Sequence, residues 1–185
     1  MAHLHRRDVL LALAAAPLAA VASRAPLPPE LSAALPGARL LGEATLRWFG
    51  LHVYDIRLWA DSPTALARPE ASRLALELRY ARALDGAQIA QRSLQEMQGI
   101  GEVPRERGER WLEAMRTIFP DVNKGDRITG LQIPGEAARF WVNGQSRGEL
   151  RDAEFTRLFF GIWLSPRSSQ PQMREALLGS KGTTS

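Results

Sequence analysis

The sequence predicts an α+β domain in which an antiparallel sheet is covered by helices. Three observations carry this. Segments with strand period come first, segments with helical period follow, and a hairpin and a further helix come after them. Leu74, Leu76, Leu78 and Tyr80 alternate with Ala75, Glu77 and Arg79, the pattern of a half-buried strand. Asn143-Gly144 stands between two strand-like runs and is the strongest hairpin signal in the chain.

Met1–Asp8 is short and basic, with Arg6 and Arg7, and Val9–Ala22 is an apolar run too short to span a bilayer as a helix. Ala20-Val21-Ala22 is a small-x-small cleavage signature, which predicts a signal peptide over residues 1–22 with processing before Ser23. A periplasmic location is therefore expected, reached by the twin-arginine or the general export route. Residues 23–40, rich in Pro and Ala, are read as an extended lead-in to a domain over residues 41–180, with 181–185 as a tail.

Strands are expected at Ala44–Phe49 and His52–Ala60 around a tight Gly50-Leu51 connection, with Asp61-Ser62-Pro63 ending the second. Leu74–Tyr80 is the third strand. At Asp85-Gly86 the period changes, and Ile89, Leu94, Met97 and Ile100 recur at helical spacing up to Gly99–Gly101. Pro104 opens a second helix with Trp111, Leu112, Met115, Ile118 and Phe119 on its apolar face, and Pro120 stops it. Strands return at Arg127–Ile133, Ala138–Val142 and Gln145–Leu150. Asp152 can cap a helix over Ala153–Leu164 that turns Phe155, Leu158, Phe159, Ile162 and Trp163 inward. Met173–Leu178 is a short amphipathic segment ended by Gly179.

Composition excludes much chemistry. The net charge of +4 is spread without a basic block, so nucleic-acid binding is not expected. The chain has no cysteine, and His52 is the only histidine beyond residues 1–22. That leaves no disulfide, no thiol nucleophile and no zinc site of the usual kinds. No G-x-S-x-G elbow, dinucleotide fingerprint or phosphate loop is present, and no cofactor or metal is expected. Five Trp and six Phe make a core without cross-links feasible at this length.

Thr45–Ala60 carries the functional signal. Side chains alternate faces along a strand, so His52, Tyr54, Ile56 and Leu58 share one face and Tyr54 lies in an apolar row. Arg47, flanked by Thr45 and Phe49, sits on the preceding strand. An arginine and a tyrosine hydroxyl converging on an apolar interior would clamp a small acid or an enolate, since a guanidinium fork matches a carboxylate. Taken alone, Arg47 also reads as a surface arginine, Tyr54 as a core aromatic and His52 as a polar rim residue.

The chain carries G-x-x-x-L-R at Gly42–Arg47, V-Y-D-I-R-L-W at Val53–Trp59, L-x-L-x-Y at Leu76–Tyr80 and F-P-D-V-x-x-G-D at Phe119–Asp126. V-N-G-x-x-x-G at Val142–Gly148, F-F-x-I-W-L at Phe159–Leu164 and L-L-G at Leu177–Gly179 follow in order. On these motifs rests a resemblance to the chalcone isomerase-like family, in its bacterial exported branch. It implies an open-faced β-sandwich, a large antiparallel sheet with helices packed on it and a ligand cleft between. It also implies one of two activities, since the family holds enzymes that close a chalcone to a flavanone and relatives that bind fatty acids.

In the enzymes an arginine on the first long strand and a threonine on the next lie in the cleft. Arg47 matches the arginine, and Tyr54 falls at the threonine position, where the fatty-acid binders carry a tyrosine. The enzymes' tyrosine, lysine and asparagine on the following helix have no counterpart in Gly86–Gln98, where Arg92 is the nearest cation. The expected binding residues are therefore Arg47, Tyr54, His52 and Arg92, with Arg47 and Tyr54 catalytic if the chain is an enzyme. The favoured reading is a binder of a small amphipathic acid. The alternatives are an intramolecular lyase acting on a chalcone-like enone and a non-catalytic interaction protein of the envelope. No membrane span is expected in the processed chain.

Overall fold

The computed structural model describes residues 25–179. The expected signal peptide, its cleavage site and the tail lie outside the described residues. Six strands form one antiparallel sheet in sequential order: β1 (Arg39–Trp48), β2 (Leu51–Ala60), β3 (Leu74–Tyr80), β4 (Arg127–Ile133), β5 (Ala137–Val142) and β6 (Gln145–Leu150). Each strand pairs with the next in the chain, and the long β3–β4 connection carries two helices, α2 (Gly86–Ile100) and α3 (Arg105–Ile118). α1 (Pro29–Ala34) precedes the sheet, and α4 (Ala153–Leu164) and α5 (Pro171–Leu178) follow it. The α+β class read from the sequence is the one observed.

The helix ends follow the local chemistry. The Asp85 carboxylate accepts the Gln88 N–H at 2.9 Å at the start of α2. Asp152 accepts the Glu154 and Phe155 N–H groups at the start of α4. Each satisfies donors that the first helical turn leaves without an internal partner. Asn143 and Gly144 both take positive φ (51° and 82°), the geometry of a primed two-residue hairpin turn. Asp126 fixes a turn by accepting the Asn123 N–H at 2.7 Å and the Asn143 side-chain amide at 3.0 Å.

The inner face of the sheet presents Ile56, Leu58, Leu76, Leu78, Ile128 and Phe140 to Met97, Met115, Phe155, Leu158 and Phe160, all buried. Burial of this size is the main stabilising contribution in a chain without cross-links. α5 lies so close to β1 that a Cβ on Gly42 would stand 2.1 Å from the Leu177 carbonyl oxygen. Only a residue without a side chain permits that approach.

The outer face carries a smaller core that the sequence reading missed. Residues 23–40 were expected to be extended, but Pro29–Ala34 is helical, with Pro29 at its first position. Leu31 and Leu35 pack on Trp59, Ala75 and Leu131. Glu30 anchors the helix by accepting Thr129 Oγ1 at 2.7 Å and Arg127 at 3.0 Å. Beside it the Trp59 indole donates to Glu77 at 3.0 Å.

β1 begins at Arg39 rather than Ala44, and its turn to β2 is Phe49-Gly50 rather than Gly50-Leu51. The β1–β2 register slips in two places, at Leu41 on β1 and opposite Leu46–Arg47. Leu46 faces Tyr54 but Arg47 faces His52, so Val53 is an extra residue on β2. Such a bulge reverses the alternation of faces beyond it.

Candidate ligand-binding site

A cavity of about 460 Å³ lies between the inner face of the sheet and α2 and α4. That is within the range of small-molecule sites, about 300–1,000 Å³. Its floor is Leu46, Tyr54, Leu76, Leu78, Tyr80, Ile128 and Phe140 from β1 to β5. Its roof is Ile89 and Ser93 from α2 with Phe159, Phe160, Ile162 and Trp163 from α4. Phe159 and Trp163, read from the sequence as inward-facing, are here cavity walls together with Phe160.

Most of the polar lining lies toward the rim, with Ser93 and Tyr80 as buried polar residues within it. Leu76, Ile128, Phe140 and Phe160 are buried, whereas Arg82, Gln88, Arg92 and Ser169 are exposed along the rim. Gln88, Arg92 and Glu96 recur every four residues and so share one stripe of α2. Of that stripe only Arg92 was expected in the site; Gln88 and Glu96 were not. Glu96 pairs with Arg92, and the Arg92 guanidinium also lies 5.9 Å from the Trp48 ring centroid.

Tyr54 is the lining residue that carries a hydroxyl bonded across the cavity. Its hydroxyl accepts the Trp163 indole N–H at 3.0 Å. With an acceptor position filled, its own proton is free for a ligand oxygen. Burial pushes this hydroxyl up to about 12 from an ordinary 10. The Trp163 bond and the Arg92 charge oppose that push, and Glu96 adds to it. Tyr54 is therefore a neutral donor, not a phenolate base, at physiological pH. Tyr80 is its cross-strand partner, with rings 6.0 Å apart, and burial followed by the nearby Tyr54 pushes Tyr80 up as well.

The structure brings Tyr54 and Arg92 together at this cavity and leaves out the other two expected residues. Leu46 and Trp48 line the cavity, so Arg47 between them points to the opposite side of β1 and is exposed. His52 was expected on the Tyr54 face. The Val53 bulge turns it to the outer side, where its Nε2 lies 2.9 Å from Asp55, which also accepts Thr45 Oγ1 at 2.7 Å. Of the four expected residues, Tyr54 and Arg92 line the cavity and Arg47 and His52 do not. Among the described residues no cluster of His, Cys, Asp and Glu suits a metal ion.

The described helices include none long and apolar enough to cross a membrane. The fold is similar to that of a fatty-acid binding protein of Arabidopsis thaliana. The TM-score is 0.63 at 13% identity, over 78% of this chain and 88% of that one. An uncharacterized protein of Haemophilus influenzae is 27% identical over 139 residues, spanning 75% of this chain and 67% of that one. The sequence model of the family described as chalcone isomerase-like matches residues 39–179, which is the whole sheet with α2 to α5. The chain belongs to the chalcone isomerase-like family.

Proposed function

We propose that the protein binds an amphipathic carboxylic acid of the fatty-acid type, with its head group at Tyr54 and Arg92 and its tail against Leu76, Leu78, Ile128, Phe140 and Phe160. The observation that carries this is a mostly apolar cavity lined by the Tyr54 hydroxyl, a donor held by Trp163, with the Arg92 guanidinium exposed at its rim. A tail gains roughly 0.8 kcal/mol for each methylene taken out of water. The head group gains a charge-assisted bond from each donor. The similarity in fold to a plant fatty-acid binding protein agrees with this reading. The lining offers neither a histidine nor a lysine for proton transfer.

We also propose that residues 1–22 are an export signal and that the processed chain acts in the periplasm. The first described helix starts at Pro29, so cleavage before Ser23 would leave every described element intact.

The test is titration of the purified protein with cis-parinaric acid, a fluorescent fatty acid, and its displacement by saturated acids and by their methyl esters. Saturable binding that the esters compete for poorly is expected. Absence of saturable binding, or equal competition by acids and esters, overturns the reading. Faster cyclisation of naringenin chalcone than in buffer would move it to the isomerases. Intact-mass measurement of the periplasmic form checks the cleavage.

A further inference from the structure

The β1–β2 hairpin ends in Trp48, Phe49, Gly50 and Leu51. Its three large apolar side chains are 53%, 88% and 56% exposed. The Trp48 and Phe49 rings meet edge to face at 5.1 Å and form one convex apolar knob. A soluble domain gains nothing from holding such a knob in water.

The turn itself holds Phe49 in a left-handed conformation that an aromatic residue tolerates poorly. Phe49 has φ 48° and Gly50 φ 79°, almost the values of Asn143 and Gly144 in the β5–β6 hairpin. One chain thus uses the same primed turn twice. The second copy carries Asn, which tolerates positive φ, and the first carries an aromatic residue, which tolerates it poorly. Backbone strain that a better residue would relieve marks a position held for another purpose.

The surroundings indicate the partner. Arg47 is exposed directly behind the tip and makes no ion pair among the described residues. Arg92 stands over the Trp48 ring, its charge shared with Glu96. Arg82 is exposed on the same rim. The nearest outward carboxylate, Asp55, is occupied by Thr45 and His52. A convex tip of Trp, Phe and Leu with a cationic collar complements a fluid apolar layer under anionic head groups. A folded partner would need a matching pocket for it.

We propose that the Trp48–Leu51 tip is a docking element that seats in the interface of a bilayer containing anionic lipid. Docked there, Trp48 is both in the interface and at the edge of the cavity, which places the cavity opening against the lipid. The docking stands without the ligand reading. Exchange of an acyl ligand between bilayer and cavity rests on it.

The test is flotation of the purified protein, with its amino terminus as the producing cell leaves it, on two kinds of vesicle. One is phosphatidylcholine alone and the other carries about a quarter phosphatidylglycerol. Phe49→Asn installs the residue the turn prefers, so the variant should melt no lower than the parent. It should partition roughly tenfold more weakly onto the anionic vesicles. Phe49→Trp should restore partitioning. Both variants should bind cis-parinaric acid in vesicle-free buffer as the parent does, because Phe49 does not line the cavity. Equal partitioning of parent and Phe49→Asn overturns the proposal. So does a parent that floats with neither vesicle, or a parent dimer in sedimentation that Phe49→Asn dissolves.

Discussion

The Trp163 indole N–H donates to the Tyr54 hydroxyl at 3.0 Å, joining two residues 109 positions apart in the chain. One bond ties the roof of the cavity to its floor and leaves the tyrosine proton free to donate. Tyr54→Phe removes that donor and leaves the Trp163 N–H buried without an acceptor. We expect fatty-acid affinity to fall about tenfold or more, as for loss of a bond to a charged acceptor. Stability should fall by about 1–3 kcal/mol in urea unfolding, the cost of one unsatisfied buried group.

Arg92→Ala and Arg47→Ala separate the two cationic positions. The first should weaken cis-parinaric acid binding by roughly tenfold, because it removes a charge at the rim and the contact with Trp48. The second should leave vesicle-free binding unchanged, since Arg47 is on the far side of β1. A loss with Arg47→Ala alone would overturn the assignment of the head-group site.

The pH dependence has a definite sign. The folded Tyr54 titrates near 12 and the unfolded one near 10, so the folded state holds its proton more tightly. The stability this represents is fully present below pH 10 and is lost as pH rises toward 12. Its size is on the order of 2–3 kcal/mol for Tyr54 alone, and Tyr80 acts in the same direction. Urea midpoints across this window should decline, and less steeply in Tyr54→Phe. Ligand binding should be flat from about pH 7 to 9, because the donor stays protonated.

Asp152 acts in the opposite direction. Burial works against its charge, but the Phe155 N–H, the Trp111 indole and the Glu154 N–H together hold its carboxyl below the usual range. Its contribution is present above the ordinary carboxylate pKa and disappears on acidification. Asp152→Ala should cost about 1–2 kcal/mol at neutral pH and flatten the acid limb of the stability profile. Because α4 carries Phe159, Phe160 and Trp163, ligand affinity should fall with it.

Gly42→Ala should destabilise by about 1–3 kcal/mol, with a lower melting temperature and earlier proteolysis at α5. The added methyl would overlap the Leu177 backbone, which cannot rotate out of the way as a side-chain end can.

Much of this was legible in the residues. The alternation of Leu74–Tyr80, the Asn143-Gly144 turn and the caps Asp85 and Asp152 each act over a few residues, and each element formed where they indicated. Tyr54 was found because its row in β2 is otherwise apolar. The errors have one character. The Val53 bulge is set by how β1 pairs with β2 and leaves no mark in the alternation, so His52 was assigned to the wrong face. Arg47 was misplaced for another reason: which face of β1 turns inward depends on its pairing, Leu46 with Tyr54, and the alternation of β1 alone does not say which face that is. α1 is short and draws its stability from Trp59, Ala75 and Leu131 on distant strands, which no local window contains.

The seat of α5 on Gly42 also constrains the order of folding. β1 is an edge strand, and the helix that covers its inner face is the last one in the described chain. During synthesis β1 therefore emerges long before its cover does. Until α5 arrives, the strand that carries Leu46, Arg47 and the Trp48–Leu51 tip lacks part of its packing. Assembly of the domain then ends with a long-range closure between its two extremities. Loss of the last helical turn should accordingly be felt first at β1, at the other end of the sequence.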